Sequence, residues 1–218
     1  MAVKAIIFDR DGVLTYFDVA AATAFFQPLL PFSLEEIADR WAKWGRKVGF
    51  PGTLAEEQRF FRGFWDAVAE ELNLAPPTRE QLHHFEYTQT MRPFSDARPV
   101  LQEVRKHGLR IGVLSNFSLA SLDASLAAVG LADLIDVACA APVIGAAKPA
   151  PEAYLIASRA LGVQTAECLF FDDEIACVEG GRAVGMRAYL VDRQRTEHVL
   201  AESILCDLTV ISEFLLPN

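Results

Sequence analysis

The sequence contains no apolar run approaching the ~20 residues that a membrane-spanning helix requires. The apolar stretch ahead of Asp9 is too short for a secretory signal. Basic residues are outnumbered: 20 Lys and Arg face 29 Asp and Glu, the formal net charge is −9, and no basic stripe occurs. A polyanion such as duplex DNA would be repelled, which excludes nucleic acid from the expected partners. The four cysteines (Cys139, Cys168, Cys177, Cys206) form no C-x-x-C pair and stand among apolar residues. Reduced thiols in a core fit them better than disulfides or a zinc site. The four histidines show no ligand spacing, and neither repeats nor low-complexity linkers occur. The expectation is a cytoplasmic protein, monomer or homodimer, with no membrane or nucleic-acid partner. A small phosphorylated metabolite remains compatible with the acidic balance, because a site needs only local positive charge and a metal ion.

Apolar side chains are plentiful. At 218 residues, 52% hydrophobic and with 15 Phe, the chain can bury a sizeable core. It is long for one compact unit and short for two full domains. Val3 to Asp9 is short, apolar and ends in a carboxylate, as a buried parallel strand would. From Tyr16 to Met91 the pattern is helical, with no convincing strand. Ser33 with Glu36, Thr53 with Glu56 and Thr78 with Gln81 each have capping-box spacing. Ile37, Trp41 and Trp44 share one helical face, and Phe61, Phe64, Trp65, Val68 and Leu72 share another. With a helix over Asp18 to Leu29, four helices are expected there. Beyond Pro93 strands and helices alternate. The expected strands are Arg110–Leu114, Ile135–Ala138, Cys168–Phe171 and Arg187–Val191. The expected helices are Ala97–His107, Leu119–Val129, Pro151–Leu161 and Ile175–Val184. Such alternation implies parallel βαβ units and a sheet covered on both faces. Residues 1–15 and 93–218 are thus expected to form an α/β core, and residues 16–92 an inserted helical block.

Four segments carry chemistry. Asp9-Arg10-Asp11-Gly12 puts two carboxylates at the end of a strand, where they repel and are costly to desolvate without a cation. Taken alone, it equally describes an Asp-Gly turn. Ser115-Asn116 follows the strand Ile111–Leu114 and by itself fits a turn or helix cap. Lys148-Pro149-Ala150-Pro151-Glu152-Ala153-Tyr154 sets a lysine ahead of a helix, although a lone lysine usually lies in solvent. Leu169-Phe170-Phe171-Asp172-Asp173 ends a strand in paired carboxylates.

In this order, the four resemble the motifs of the haloacid dehalogenase superfamily, and they span Asp9 to Asp173. The resemblance implies a Rossmann-like parallel sheet of order 3-2-1-4-5, with a C1-type helical cap between the first two motifs. It implies Mg²⁺-dependent hydrolysis of a small phosphate monoester through an aspartyl phosphate. Asp9 would be nucleophile and metal ligand. Asp11 would be acid/base and lend its main-chain carbonyl to the metal. Ser115 and the N–H of Asn116 would bind phosphoryl oxygens, and Lys148 would neutralise them. Asp173 would be a direct metal ligand, and Asp172 a second partner, directly or through water. The dehalogenase branch carries a non-acidic residue at the position of Asp11. A halide leaves without a proton whereas an alkoxide gains from one, so Asp11 favours phosphate esters. A phosphomutase and a non-catalytic binding protein are the alternatives on the same fold. Arg46, Lys47 and the loop through Gly52 are candidate substrate-specificity residues, or simply an exposed basic turn. Two departures stand out: Cys177 where many relatives have Asn, and Pro142 where the segment before the lysine often begins with Ser.

Overall fold

The computed structural model describes residues 2–214. The chain opens with β1 (Ala5–Phe8) and β2 (Thr15–Phe17), then runs through α1 (Val19–Phe26), α2 (Leu34–Val48), α3 (Leu54–Glu71) and α4 (Pro76–His83) to β3 (Met91–Pro93). Next come α5 (Ala97–Lys106), β4 (Arg110–Ser115), α6 (Leu122–Ala128), β5 (Val137–Ala140) and the single turn α7 (Ala141–Ile144). It ends with α8 (Pro151–Ala160), β6 (Cys168–Asp172), α9 (Ile175–Ala183), β7 (Arg187–Val191), β8 (Ile204–Leu205) and α10 (Ile211–Phe214).

The central sheet has the order β5-β4-β1-β6-β7-β8, and all its pairings are parallel. Its first five strands follow the expected 3-2-1-4-5 order; β8, two residues long and too short to show a pattern, adds an edge. All four residues of β1 are buried, as a strand covered on both faces requires. Alternation along the strands separates two apolar layers. Ile6, Phe8, Ile111, Val113, Leu169 and Phe171 pack with α5 and α6. Ala5, Ile7, Leu114 and Phe170 pack with α8 and α9.

The helical block has a separate apolar cluster. Ala22, Phe26, Leu30, Phe64, Trp65, Val68 and Leu82 are buried in it, with Ile37, Trp41 and Trp44 packed against them. The boxes at Ser33/Glu36 and Thr53/Glu56 form with both reciprocal hydrogen bonds. The third does not: α4 starts at Pro76, so Thr78 lies inside the helix. Proline's preset φ favours the first helical turn and brings the start forward. The expectation of no strand in this region also fails at its borders. β2 and β3 pair antiparallel, Tyr16 opposite Arg92 and Phe17 opposite Met91, closing the block at its base. Three-residue strands whose partners lie so far along the chain leave no local alternation to read. Similarly, α6 starts at Leu122 rather than Leu119, because residues 118–120 bend around the site. Among the described residues, no helix is long and apolar enough to cross a membrane.

Candidate active site

Asp9 follows directly from β1, and its N–H donates to the Phe171 carbonyl at 2.8 Å. It therefore sits at the middle of the sheet's carboxyl edge. Ser115 ends β4 on one side and Asp172 ends β6 on the other. Parallel strands deliver their last residues to a single edge, which is why residues distant in sequence meet here.

Lys148 reaches this edge from the loop before α8. Its backbone is clamped by the Asn116 side chain: Nδ2 donates to the Lys148 carbonyl at 2.8 Å, and the Lys148 N–H donates to Oδ1 at 2.8 Å. Asn116, whose N–H is expected to meet phosphoryl oxygens, lines the cavity, and its side chain holds the lysine. The Lys148 ammonium, 2% exposed, lies 2.8 Å from Asp9 Oδ1 and donates to Asp172 Oδ2 at 2.6 Å. Burial works against its charge, but the two carboxylates outweigh burial and hold it above the ordinary lysine range.

The carboxylates show the opposite displacement. Burial, opposed by Lys148 and reinforced by the charge of Asp172, pushes Asp9 up to about 7. Burial also raises Asp172, which is fully enclosed and accepts the Glu174 N–H at 2.8 Å. Asp173 is more open to solvent, yet desolvation by surrounding protein and the charge of Asp172 push it to about 6. One ammonium serves three acids, so the group is short of positive charge.

The donor set fits a hard divalent cation. Asp9, Asp172 and Asp173 each offer an oxygen within 4.8 Å of the others. Asp9 Oδ1 is buried and, despite the nearby ammonium, receives no aligned hydrogen bond. Carboxylate oxygens are the ligands magnesium-like ions take. Gly12 makes room for this arrangement. Its φ is +74°, and a Cβ there would overlap the Asp173 carboxylate.

Asp11 faces the same cavity, with its side chain 54% exposed. Arg10 grips it: Nε donates to Oδ1 at 3.1 Å and Nη2 donates to Oδ2. The buried guanidinium also donates to Ser125 Oγ at 2.9 Å and lies 3.7 Å over the Phe117 ring. Sequence reasoning overlooked Arg10, although an arginine between two aspartates is itself a signal of an internal counter-charge. Ser115 is buried, and its Oγ accepts the Phe117 N–H at 3.1 Å, which shapes the loop beside Asp9. Glu57 of α3 was overlooked too. It is buried and accepts the Ser121 N–H at 2.9 Å and the Ser121 hydroxyl at 2.5 Å, tying the helical block to that loop.

A cavity of about 470 Å³ opens over these residues. Asp9, Asp11, Ser115, Asn116 and Asp173 line its α/β side, and Phe17, Trp41, Tyr87 and Met91 line the other. Arg46 is exposed on α2 and is not among the lining residues; Trp41 is the α2 residue that reaches the cavity. Five residues further along a helix is a rotation of roughly 140° past a full turn, which carries Arg46 off that face. Lys47 lines a separate surface groove with Arg40 and Lys43. Cys177 is buried behind the site, its carbonyl accepting the Tyr154 hydroxyl at 2.6 Å. Burial, followed by the charge of Asp172, pushes its thiol up to about 12.

Comparison with known proteins agrees with this geometry. The sequence pattern of the haloacid dehalogenase-like hydrolases matches residues 3–185, a stretch containing all four motifs. Phosphatase MT3486 of Mycobacterium tuberculosis (strain CDC 1551 / Oshkosh) is 44% identical over 194 residues, covering 88% of this chain and 89% of its own length. The crystal structure of a HAD phosphatase from Thermococcus onnurineus aligns with a TM-score of 0.64 over 98% of both chains at 22% identity. That of the L-2-haloacid dehalogenase from Xanthobacter autotrophicus aligns at 0.67 over 98% of both, at 21% identity. At such identities these two establish the fold alone. The family match and the Mycobacterium relative go further: the chain belongs to the haloacid dehalogenase-like hydrolases.

Proposed function

We propose that this hydrolase is a Mg²⁺-dependent phosphatase that cleaves a small phosphate monoester, with Asp9 as nucleophile. The observation carrying this reading is the buried Asp9–Lys148–Asp172 contact with Asp173 alongside. A single ammonium inside a surplus of carboxylates suits a cation and a phosphoryl group, and phosphoryl transfer depends chiefly on positioning and charge neutralisation. Asp9, Asp173 and the Asp11 carbonyl would hold the ion, with Asp172 shared between it and Lys148. The ion would neutralise phosphoryl oxygens and reduce repulsion between the phosphate and Asp9.

The remaining roles follow from the chain's own groups. Asp9 attacks phosphorus in line with the leaving alcohol and becomes an aspartyl phosphate, while Asp11 donates a proton to the departing oxygen. Asp11 then takes a proton from the water that hydrolyses this acyl phosphate. The Arg10 fork holds the Asp11 carboxyl group through both of its oxygens. Acting as an acid in the first step requires that contact to open. Lys148 and the Ser115 hydroxyl orient phosphoryl oxygens. The helical block serves as a cap that keeps bulk water from the intermediate.

The test is hydrolysis of p-nitrophenyl phosphate with Mg²⁺ and with chelator, using 2-chloropropionate as the control that should not react. Asp9→Asn should lower turnover by about 10⁴-fold or more while the circular dichroism spectrum is unchanged. Turnover that survives chelation, or persists in Asp9→Asn, overturns the assignment.

A further inference from the structure

We infer that the leaving-group side of the cavity takes an uncharged aromatic or otherwise apolar alcohol moiety and disfavours phosphate esters carrying a second anionic group. This rests on the phosphatase reading above and narrows it to a substrate class. The walls away from Asp9 are Phe17, Trp41, Tyr87, Met91 and Phe117. Phe17 keeps 52% of its surface exposed. Uncovered aromatic surface beside the phosphoryl site offers contact area to an apolar group.

Tyr87, Phe117 and Trp41 are held in place before any ligand arrives. The Tyr87 hydroxyl is hydrogen-bonded with Ser121 Oγ at 2.8 Å, and its ring lies 5.2 Å from Phe117 and 6.3 Å, stacked, from Phe61. Phe117 is also held by the Arg10 guanidinium over its ring. Trp41 is braced at 5.4 Å by Phe50 and 5.6 Å by Phe60. A pre-ordered apolar wall binds without first ordering its side chains.

Charge points the same way. Four lining residues are acidic: Asp9, Asp11, Asp173 and Glu174. Arg10 is the basic lining residue, and its guanidinium is taken up by Asp11, Ser125 and Phe117. Lys148 lies beneath, committed to Asp9 and Asp172. Arg46 and Lys47, the candidate basic specificity residues, are not among the lining residues, in keeping with the alternative reading of an exposed basic stretch. Once Lys148 and the ion are engaged by the phosphoryl oxygens, a carboxylate or second phosphate on the alcohol would find no uncommitted cation among the lining residues and would face the Glu174 carboxylate, a repulsive arrangement that selects against it. Two of the neutral polar groups at the wall are already engaged: the Thr90 hydroxyl donates to the Tyr87 carbonyl at 2.6 Å and the Asn116 side chain is spent on Lys148.

Two comparisons test this on the Mg²⁺-loaded wild-type protein. Binding of the unreactive 2-phenylethylphosphonate and of phosphonoacetate is measured by calorimetry. The first should bind about tenfold tighter or more. Turnover is then compared among 2-phenylethyl phosphate, glucose 6-phosphate and phosphoglycolate, all esters of primary alcohols, so that leaving-group acidity does not dominate the ranking. The phenylethyl ester should have the highest kcat/KM. Trp41→Ala should lower that value several-fold more than it lowers the value for methyl phosphate, and Trp41→Phe should restore most of the loss. If phosphoglycolate or glucose 6-phosphate is preferred, or phosphonoacetate binds as tightly, the substrate-class inference falls and the phosphatase stands. If no ester is hydrolysed but the phosphonate preference holds, the pocket reading stands and the phosphatase falls.

Discussion

Carboxylates of the helical block and of the site at the sheet's carboxyl edge are displaced in opposite directions. In the block, hydrogen bonds from the Ser33 backbone and side chain hold Glu36 below the ordinary range, and Glu56 is lowered first by the Gly52 N–H and then by Thr53. Burial opposes ionisation of Asp66, but Arg79 and His83 prevail and lower it. In the body, burial raises Asp9, Asp172 and Asp173 despite Lys148. The block's charges therefore support its folding, as caps and exposed pairs ordinarily do. The site's charges are held at a cost that the rest of the fold offsets, unlike the body's own surface acids Glu103 and Asp133, which their partners lower, and such a cost marks a site built for a ligand.

The largest expected effect on stability comes from removing the ammonium that makes this arrangement tolerable. Lys148→Met should lower the unfolding free energy at pH 8 by about 3–5 kcal/mol, since it strands buried carboxylates. Urea denaturation at pH 8 and pH 5 checks it, and the loss should shrink at pH 5, where Asp9 is protonated. An equal loss at both values would break the comparison.

Next comes linkage to pH and metal. For Asp9 and Asp173 the folded values of about 7 and about 6 exceed the ordinary 3.8. Folded protein then keeps protons that the unfolded chain has released. With chelator present, the contribution of these groups to stability is full below about pH 4 and is lost as pH rises through about 7. Saturating Mg²⁺ should return about 2–3 kcal/mol at pH 8 and much less at pH 5, measured as a shift in melting temperature. For Asp66 the sign reverses: its lowered value contributes stability above the ordinary 3.8 that is lost as pH falls below it.

Smaller effects probe the block and its junction with the body. Glu57→Leu should cost about 1–3 kcal/mol by leaving the Ser121 donors unpaired, read from urea midpoints. Arg79→Ala, which frees the partly exposed Asp66, should cost less than about 1 kcal/mol. A result in which Arg79 matters as much as Lys148 would erase the distinction between the two regions.

What could be read from the chain depended on range. Asp9, Ser115 and Asp172 were legible because each ends an apolar strand, a feature contained within a few residues. The boxes at Ser33 and Thr53 were legible for the same reason, while Thr78 misled because Pro76 and Pro77 outweighed it two positions earlier. Glu57 was illegible: it falls in the first turn of an amphipathic helix like any solvated acid, and its partner Ser121 is 64 residues away. Arg46 looked suitable by charge, but helical phase turned it from the cavity and brought Trp41 to it.

By itself the sequence determined the alternation that builds a parallel sheet, the strand ends bearing the candidate chemistry, and the helical character of the segment between β2 and β3. These follow from local periodicity and local hydrogen bonding, which act over a few residues. Only the tertiary structure decided which charges are buried together, that Arg10 meets Ser125 and Phe117, that Asn116 clamps Lys148, and that the cavity wall is aromatic rather than basic. Desolvation and counter-charge depend on neighbours brought from distant parts of the chain, and no local pattern specifies them.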